Sequence, residues 1–496
     1  MKTTKRGPLV YLAGIGGALV TGAVVAALCL VPLPSLTLTS PSIEVTPVPA
    51  TPTKICPGGL VDVIGRATDA TTFQGFAAPD ISVMGATAAP TQTPLEAPDN
   101  VATDSQLWPQ LLTGTESAGD ETNFIAGAQS QLTLAEVISG LALTGCGEAS
   151  TDQWLVGGST EVGRTSLLFL NNPLDVDALV SLEIFGENGQ VDAPGMNNLV
   201  VAPRSQRIIS LAAFAPEVVE PVVHVTTTGG QVLAAIQQTV TRVLTPSGVE
   251  IVSPGATPAL TQVIPGIALT GQAGQDSEGG QVTSDLAPAV RVLIPGKADA
   301  DVTVTVIGQT GEPYVIKTKL TAGRTLQLPF LGVPDGIYTA VVTSAVPVVA
   351  AARTISSLAW PMAPETPAPA GDAAPAKAAP APTGLGGDFT WNASSLTLNG
   401  TALIPIPAGP HPTLTLYNSG DETQSVAITS SGSAWKTVEV PARASRTLAV
   451  EQLSLLAIAD ARSIHATVTM RDRGLGSAYP VAPASRLGSQ VLVFPR

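Results

Sequence analysis

Three histidines, three cysteines and a few paired carboxylates are the residues of this chain whose types could do chemistry. His224, His411 and His465 lie more than fifty residues apart, and no pair of them has metal-ligand spacing. His224 falls inside the strand-like run Val222-Val223-His224-Val225, where a satisfied sheet histidine is expected rather than a general base. His411 sits between prolines in a turn, and His465 enters a late strand. Acidic pairs recur at Asp175/Asp177, Asp299/Asp301 and Asp421/Glu422. Calcium held between strand ends is one reading, but the ion wants six to eight oxygen ligands and each place offers two carboxylates. Turn residues that bond their own backbone are the preferred reading. No G-x-S-x-G elbow and no phosphate-cradling glycine loop follows a strand, so neither a catalytic residue nor a cofactor or metal site is expected.

Two other residue sets carry more structural meaning. Cys29 lies in an apolar N-terminal run, which leaves Cys56 and Cys146, without C-x-x-C spacing. In an oxidising compartment they form one disulfide, closing a loop of about 90 residues. In Ala434-Trp435-Lys436-Thr437-Val438-Glu439-Val440 the valines mark a buried face, which puts Trp435 on the opposite one. An exposed Trp there could stack on a sugar ring or anchor a protein partner. Trp154 and Trp391, just ahead of strand regions, read as core plugs.

The elements around these residues follow from composition. The 496 residues carry 24 Lys and Arg against 38 Asp and Glu, a net charge of −14, and charged residues are only 12% of the chain. Such a chain is a poor partner for nucleic acid, because phosphate contacts need dense Lys and Arg. It also lacks the Glu/Lys patterning of long charged helices and coiled coils. With 48 Gly and 43 Pro among abundant Val, Thr and Ala, short strands joined by turns are expected.

Lys2, Lys5 and Arg6 precede an uncharged apolar run from Leu9 to Val31, closed by Pro32 and Pro34. Its 23 residues match the ~20 that a membrane-spanning helix needs. The positive flank places the N-terminus in the cytoplasm and the bulk outside, as a single-pass signal-anchor in the cell membrane. A cleaved signal peptide with a secreted product is the lesser alternative. Residues 1–34 are thus read as cytoplasmic stub and anchor, contacting lipid through residues 9–31. Residues 35–54 are a Pro/Thr-rich stalk and 362–386 a Pro/Ala-rich linker.

Between and beyond these segments a pattern repeats. A short strand ending in a turn occurs at Leu167–Pro173, Val292–Gly296 and Leu414–Gly420, each followed by an alternating strand such as Val302-Thr303-Val304-Thr305-Val306. A turn with a basic residue then opens another strand, placing Arg207, Arg324 and Arg446 at one recurring position. An arginine stem laid over apolar surface with its head in water explains that recurrence. A late strand completes each repeat near 222–243, 337–356 and 463–470. Leu170 to Ile294 is 124 residues and Ile294 to Leu416 is 122. This period predicts an all-β protein of tandem immunoglobulin-like β-sandwiches behind the transmembrane helix: 55–254 with an N-terminal extension, 255–361 and 387–496. Within the extension, Leu60–Ile64 reads as a strand and Leu132–Leu143 as an amphipathic stretch.

Taken in order, several of these motifs resemble one family. They are Cys56-Pro57-Gly58, Cys146 ahead of Trp154-Leu155-Val156-Gly157-Gly158, the L-x-N-P turn Leu170–Pro173, and Val180–Phe185 before Glu187-Asn188-Gly189. Pro203-x-Ser205-x-x-Arg207 and Thr245-Pro246-Ser247-Gly248 follow. Together with the N-terminal anchor they resemble the actinobacterial "domain of unknown function 5719" family over most of the chain. The resemblance implies an exported envelope protein of immunoglobulin-like character, and it brings no catalytic residues. The expected function is therefore a non-enzymatic, membrane-anchored scaffold that contacts other envelope proteins. The alternative is a carbohydrate-binding protein that holds wall glycan through Trp435; a peptidoglycan hydrolase would need an acid/base pair that the sequence does not show.

Overall fold

In a computed structural model, described over residues 43–45, 51–65, 70–115, 124–270, 287–356, 387–431, 433–484 and 491–493, the chain is all-β with strongly curled sheets. The main body spans Pro49–Leu487. A second unit, Met1–Val48 with Gly488–Arg496, contains one antiparallel ladder that pairs Ile43–Val45 with Val491–Val493. The anchor reading at 9–31 and the linker reading at 362–386 lie outside the described residues, as does most of the 35–54 stalk. Among the described residues no helix is long and apolar enough to cross a membrane.

Alternation along the strands builds three large apolar cores in the main body, with smaller clusters beside them. In Ala300–Ile307 the valines 302, 304 and 306 are fully buried while the threonines between them are half-buried. In the first repeat one sheet orders Asp152–Val156, Val222–Thr228 and Ala178–Gly186 side by side. The other orders Ser205–Ser210, Arg164–Asn172, Leu233–Arg242 and Thr245–Val252. Leu168, Leu170, Val180, Leu182, Ile184, Val223 and Ile236 fill the space between them.

The second and third repeats join both of their faces through one long strand. Gly336–Ser356 pairs through its first half with Ala300–Ile307, and through its second half with Ala289–Leu293. Ser454–Asp472 does the same with Gln424–Ser430 and Thr413–Asn418. The first repeat differs. Its expected late strand at 222–243 is two strands, because Gly229 takes φ +80° and a side chain at Gly230 would press on Ala178. The chain breaks there and crosses from one sheet to the other.

The N-terminal extension is made of small sheets. Thr53–Cys56 pairs with Gln110–Thr113, and Asp80–Gly85, Ile125–Leu134 and Ser139–Gly145 form a three-stranded sheet. The stretch 132–143 is thus part of a β-hairpin. Leu132, Leu134 and Val137 are exposed, but apolar residues on both faces of the second strand, Ser139–Gly145, are buried, which a strand between two cores requires and a one-sided helix does not. Leu141 and Leu143 join the third repeat's core, while Ile138 and Ala142 pack on Ala235, Val249 and Ile251 of the first. Cys56 and Cys146 are disulfide-bonded and buried.

Candidate functional site: a polar axis between the repeats

Four strands that end their sheets pack around one axis: Ser139–Gly145, Thr245–Val252, Asp388–Ala393 and Leu475–Pro480, each against the next. Asp388–Ala393, which follows the expected linker, is paired to Gly336–Ser356 of the second repeat. Glycine stands where the backbones come closest. A Cβ on Gly140 would lie 2.8 Å from the Asp388 carboxylate, and one on Gly248 would lie 2.7 Å from it; their φ values are +150° and +120°. Those positions also disfavour other residues on backbone grounds.

Asp388 holds the axis together. Its Oδ2 accepts the backbone N–H of Leu141 at 2.9 Å and of Gly476 at 3.2 Å, and its Oδ1 those of Val249 at 3.2 Å and Phe389 at 3.0 Å. One carboxylate thereby takes a donor from each of the four strands. Glu250 lies beside it with no exposure. Its Oε1 accepts from Ser477 Oγ at 2.6 Å and Ile251 N at 2.9 Å. Ser477 in turn accepts the Leu143 N–H at 2.8 Å. Burial pushes both carboxyls well above the usual range, against the pull of these hydrogen bonds; the neighbouring Asp388 adds to the rise at Glu250.

Buried arginines tie the repeats to one another around this axis. Arg291, fully buried in the second repeat, donates to the carbonyls of Gly158 at 3.0 Å and Pro221 at 2.8 Å in the first. Its guanidinium lies 4.6 Å from the ring centre of Trp391, and that of Arg353 lies 5.8 Å from it. Trp391 Nε1 donates to Gln238 Oε1 at 2.7 Å. Burial draws the Arg291 pKa down to about 9, opposed by the charge of Glu220. Arg471 of the third repeat reaches the Ala268 carbonyl and Ser356 Oγ of the second, and burial lowers it to about 10. Asp388, Glu250 and Arg291 are closed to solvent, and the hydrogen bonds of the group run to carboxylates and carbonyls. The arrangement can fix strands in place.

The residues singled out from sequence are dispersed. Cys56 and Cys146 meet in the disulfide. Trp435 is 54% exposed just before the strand Lys436–Val440, while Trp154 and Trp391 are buried. His224 stacks on Trp154 at 4.0 Å between ring centres, with Nδ1 2.7 Å from Glu183 and Nε2 3.3 Å from Asp152. His465 is buried against Ser395 and Thr397, which lowers it to about 4 and keeps it neutral. The acidic turns share a clamping role: Asp175 pairs with Arg204, Asp421 with Arg443, and Asp299 accepts the Ala322 N–H. Among the described residues no three His, Cys, Asp or Glu gather as a metal set. Arg207 and Arg446 stand opposite Leu170 and Leu416 and donate to Val200 O and Glu439 O. Arg324 sits one residue outside its ladder.

Sequence reading missed Asp388, Glu250 and Arg291. The available signal was a lone charge in an apolar strand, as in Val249-Glu250-Ile251-Val252 and Val290-Arg291-Val292. A solvent-facing charge on a one-sided strand writes the same pattern. It also missed Asn172 and Asn418, fully buried, whose amides tie strand ends to Val176 O and Val201 O, and to Glu422 O and Val440 O.

Fold and axis define a class: an all-β protein of repeated units joined through a shared buried polar seam. The chain belongs to a family of unknown function, DUF5719, whose model matches residues 100–452. No curated protein matches it. Among solved structures, the crystal structure of Thermotoga maritima 1070 is 21% identical with a TM-score of 0.16, over 20% of this chain and 81% of that one. An anti-sigma factor domain-containing protein from Clostridium clariflavum is 6% identical with a TM-score of 0.12, over 82% and 99%. Likenesses this low carry no argument about fold or function.

Proposed function

We propose that this chain is a non-enzymatic cell-envelope protein, held in the membrane by residues 9–31 with its bulk outside. Its repeats are immunoglobulin-like sandwiches that act as a rigid scaffold for contacts with other envelope proteins. The observation that carries this reading is the seam: Asp388 takes one donor from each of four strands that belong to different parts of the chain. Buried bonds of this kind hold surfaces at fixed spacing, which a scaffold needs. The disulfide accords with an oxidising compartment.

One observation favours a second reading, binding of wall glycan: Trp435 exposes about half of its surface (54%) beside a sheet edge. Co-sedimentation of the full chain, in non-ionic detergent, with protein-free insoluble wall glycan separates the two. The scaffold reading predicts that the protein stays in the supernatant. Pelleting that soluble polysaccharide abolishes would transfer the function to the glycan reading. Trp435→Ala would then lose binding with an unchanged melting temperature.

A further inference from the structure

Two of the repeats close one sheet edge with an arginine, and the remaining repeat does not. In the first, Arg207 donates to the carbonyl of Val200 at 2.8 Å, on the short strand Leu199–Val201 along the outer side of Ala178–Gly186. In the third, Arg446 donates to the carbonyl of Glu439 at 3.3 Å, on the outermost strand Lys436–Val440. Each arginine lies in the strand that follows, opposite Leu170 or Leu416, and just past a residue with positive φ, Arg204 or Arg443. The second repeat builds the same corner from other residues. Gly323 takes the positive φ, and Leu326 stands opposite Val292 where the other repeats carry arginine. A leucine has no donor to give, so the edge strand of the second repeat lacks this cap.

That strand is Tyr314–Leu320, and the sheet order ends on it: among the described residues it pairs only with Ala300–Ile307. It is 7 residues long, whereas its counterparts have 3 and 5. An edge strand carries N–H and C=O groups that its own sheet leaves unused, and proteins blunt such edges by shortening or covering them. The counterparts are shorter and capped; this one is neither. Ile316 packs on the core of the second repeat, so Val315, Lys317 and Lys319 share the outer face. Both lysines are exposed, and among the described residues neither side chain is ion-paired or hydrogen-bonded. Asp301 stands opposite Lys319 on the neighbouring strand without an ion pair to it.

We propose that Tyr314–Leu320 receives an acidic, extended segment of another protein as a further strand of its sheet. Acidic side chains at alternate positions of that segment lie beside Lys317 and Lys319, with apolar ones between them beside Ile316. Side chains directly opposite across a ladder are about 5 Å apart, close enough for opposite charges to pair. Backbone bonds hold the added strand, and the lysines choose it. The same lysines select against a second copy of this chain. Two such edges laid antiparallel set Lys317 against the partner's Lys319, and like charges placed opposite repel. The inference rests on the scaffold reading for where the partner lies. Strand addition itself does not depend on that reading, so a failed peptide test would leave the scaffold reading standing.

Fluorescence anisotropy of a dye-labelled, six-residue peptide of alternating Glu and Val, titrated with the full chain in non-ionic detergent to about 1 mM, reads this out. Salt at about 0.15 M screens charges farther than about 8 Å, so the distant acidic surface of the chain matters little beside the two lysines. The wild type binds this peptide, and binds a Lys/Val peptide at least about tenfold more weakly. Lys317→Glu with Lys319→Glu inverts that order, and its gain of the basic peptide shows that the variant is folded. The Glu/Val peptide with every backbone amide nitrogen methylated keeps its charges but cannot form a ladder, and it does not bind. Hydrogen exchange shows new protection at 314–320 in the presence of the unmethylated peptide. The proposal is overturned if the Glu/Val peptide does not bind, if its methylated form binds equally well, if the double variant keeps the wild-type order, or if protection appears only outside 314–320.

Discussion

Replacing Asp388 with Asn tests the polar seam at its centre. The carboxylate accepts four backbone N–H groups, two on each oxygen. An amide of the same shape has one oxygen and one donor nitrogen. Whichever way it turns, it serves one pair of N–H groups and confronts the other pair with a second donor. Two buried N–H groups are then left unsatisfied, each costing about 1–3 kcal/mol, so Asp388→Asn loses about 2–6 kcal/mol. Part of this is offset because Asn removes a carboxyl whose charged form burial disfavours, which favours the lower half of the range. Urea unfolding of the full chain in non-ionic detergent, followed by tryptophan fluorescence, measures the loss; Trp391 lies in the same strand as Asp388 and reports on it. The exposed control Asp192→Asn stays within about 0.5 kcal/mol of wild type. A loss below about 1 kcal/mol in Asp388→Asn would refute the argument that this carboxylate clasps the four strands.

Three further outcomes follow from the same geometry. Burial raises Glu250 in the folded state, so the stability it contributes is fully present below its ordinary value near 4.5 and is lost as pH rises through the folded value. Stability measured from pH 4.5 upward should therefore fall with a slope of up to about 1.4 kcal/mol per pH unit for this group, and Glu250→Gln should remove that share of the slope; an unchanged profile would count against it. Replacing Cys56 and Cys146 with Ser opens a loop with a sequence separation of 90 residues. It should cost about 4–5 kcal/mol in urea unfolding, and a cost near zero would show that the extension is held by packing alone. Arg291→Lys gives up the planar fork that reaches Gly158 O and Pro221 O while lying over Trp391. It should lower stability by about 2–4 kcal/mol, and calorimetry showing an unchanged transition would remove the arginine from the account.

Much of the fold was legible because alternation along a strand is written into the chain at short range. Val302, Val304 and Val306, or Leu182 and Ile184 around Glu183, announce a strand with one buried face. The repeat was legible for the same reason, since Leu170 and Leu416 take the same ladder position opposite Arg207 and Arg446. The crossing at Gly229-Gly230 was written in two adjacent glycines but could be read only against the unbroken strand Gly336–Ser356. The seam was not legible. Asp388, Leu141, Val249 and Gly476 are scattered over more than three hundred residues, and nothing local to any of them states which backbone the carboxylate meets. Nor does 132–143 reveal by itself that it is a hairpin whose second strand lies between two cores, because apolar residues on both faces of that strand blur the period that separates strand from helix.

The central claim is that a rigid, exported body presents itself to other envelope proteins. Cross-linking of the intact chain in its own membranes, with mass-spectrometric identification of what is captured, tests it most directly. The account predicts cross-links from exposed residues of the main body to other envelope proteins, and the same partners when Trp435 is replaced by Ala. Cross-links confined to cytoplasmic proteins would contradict it.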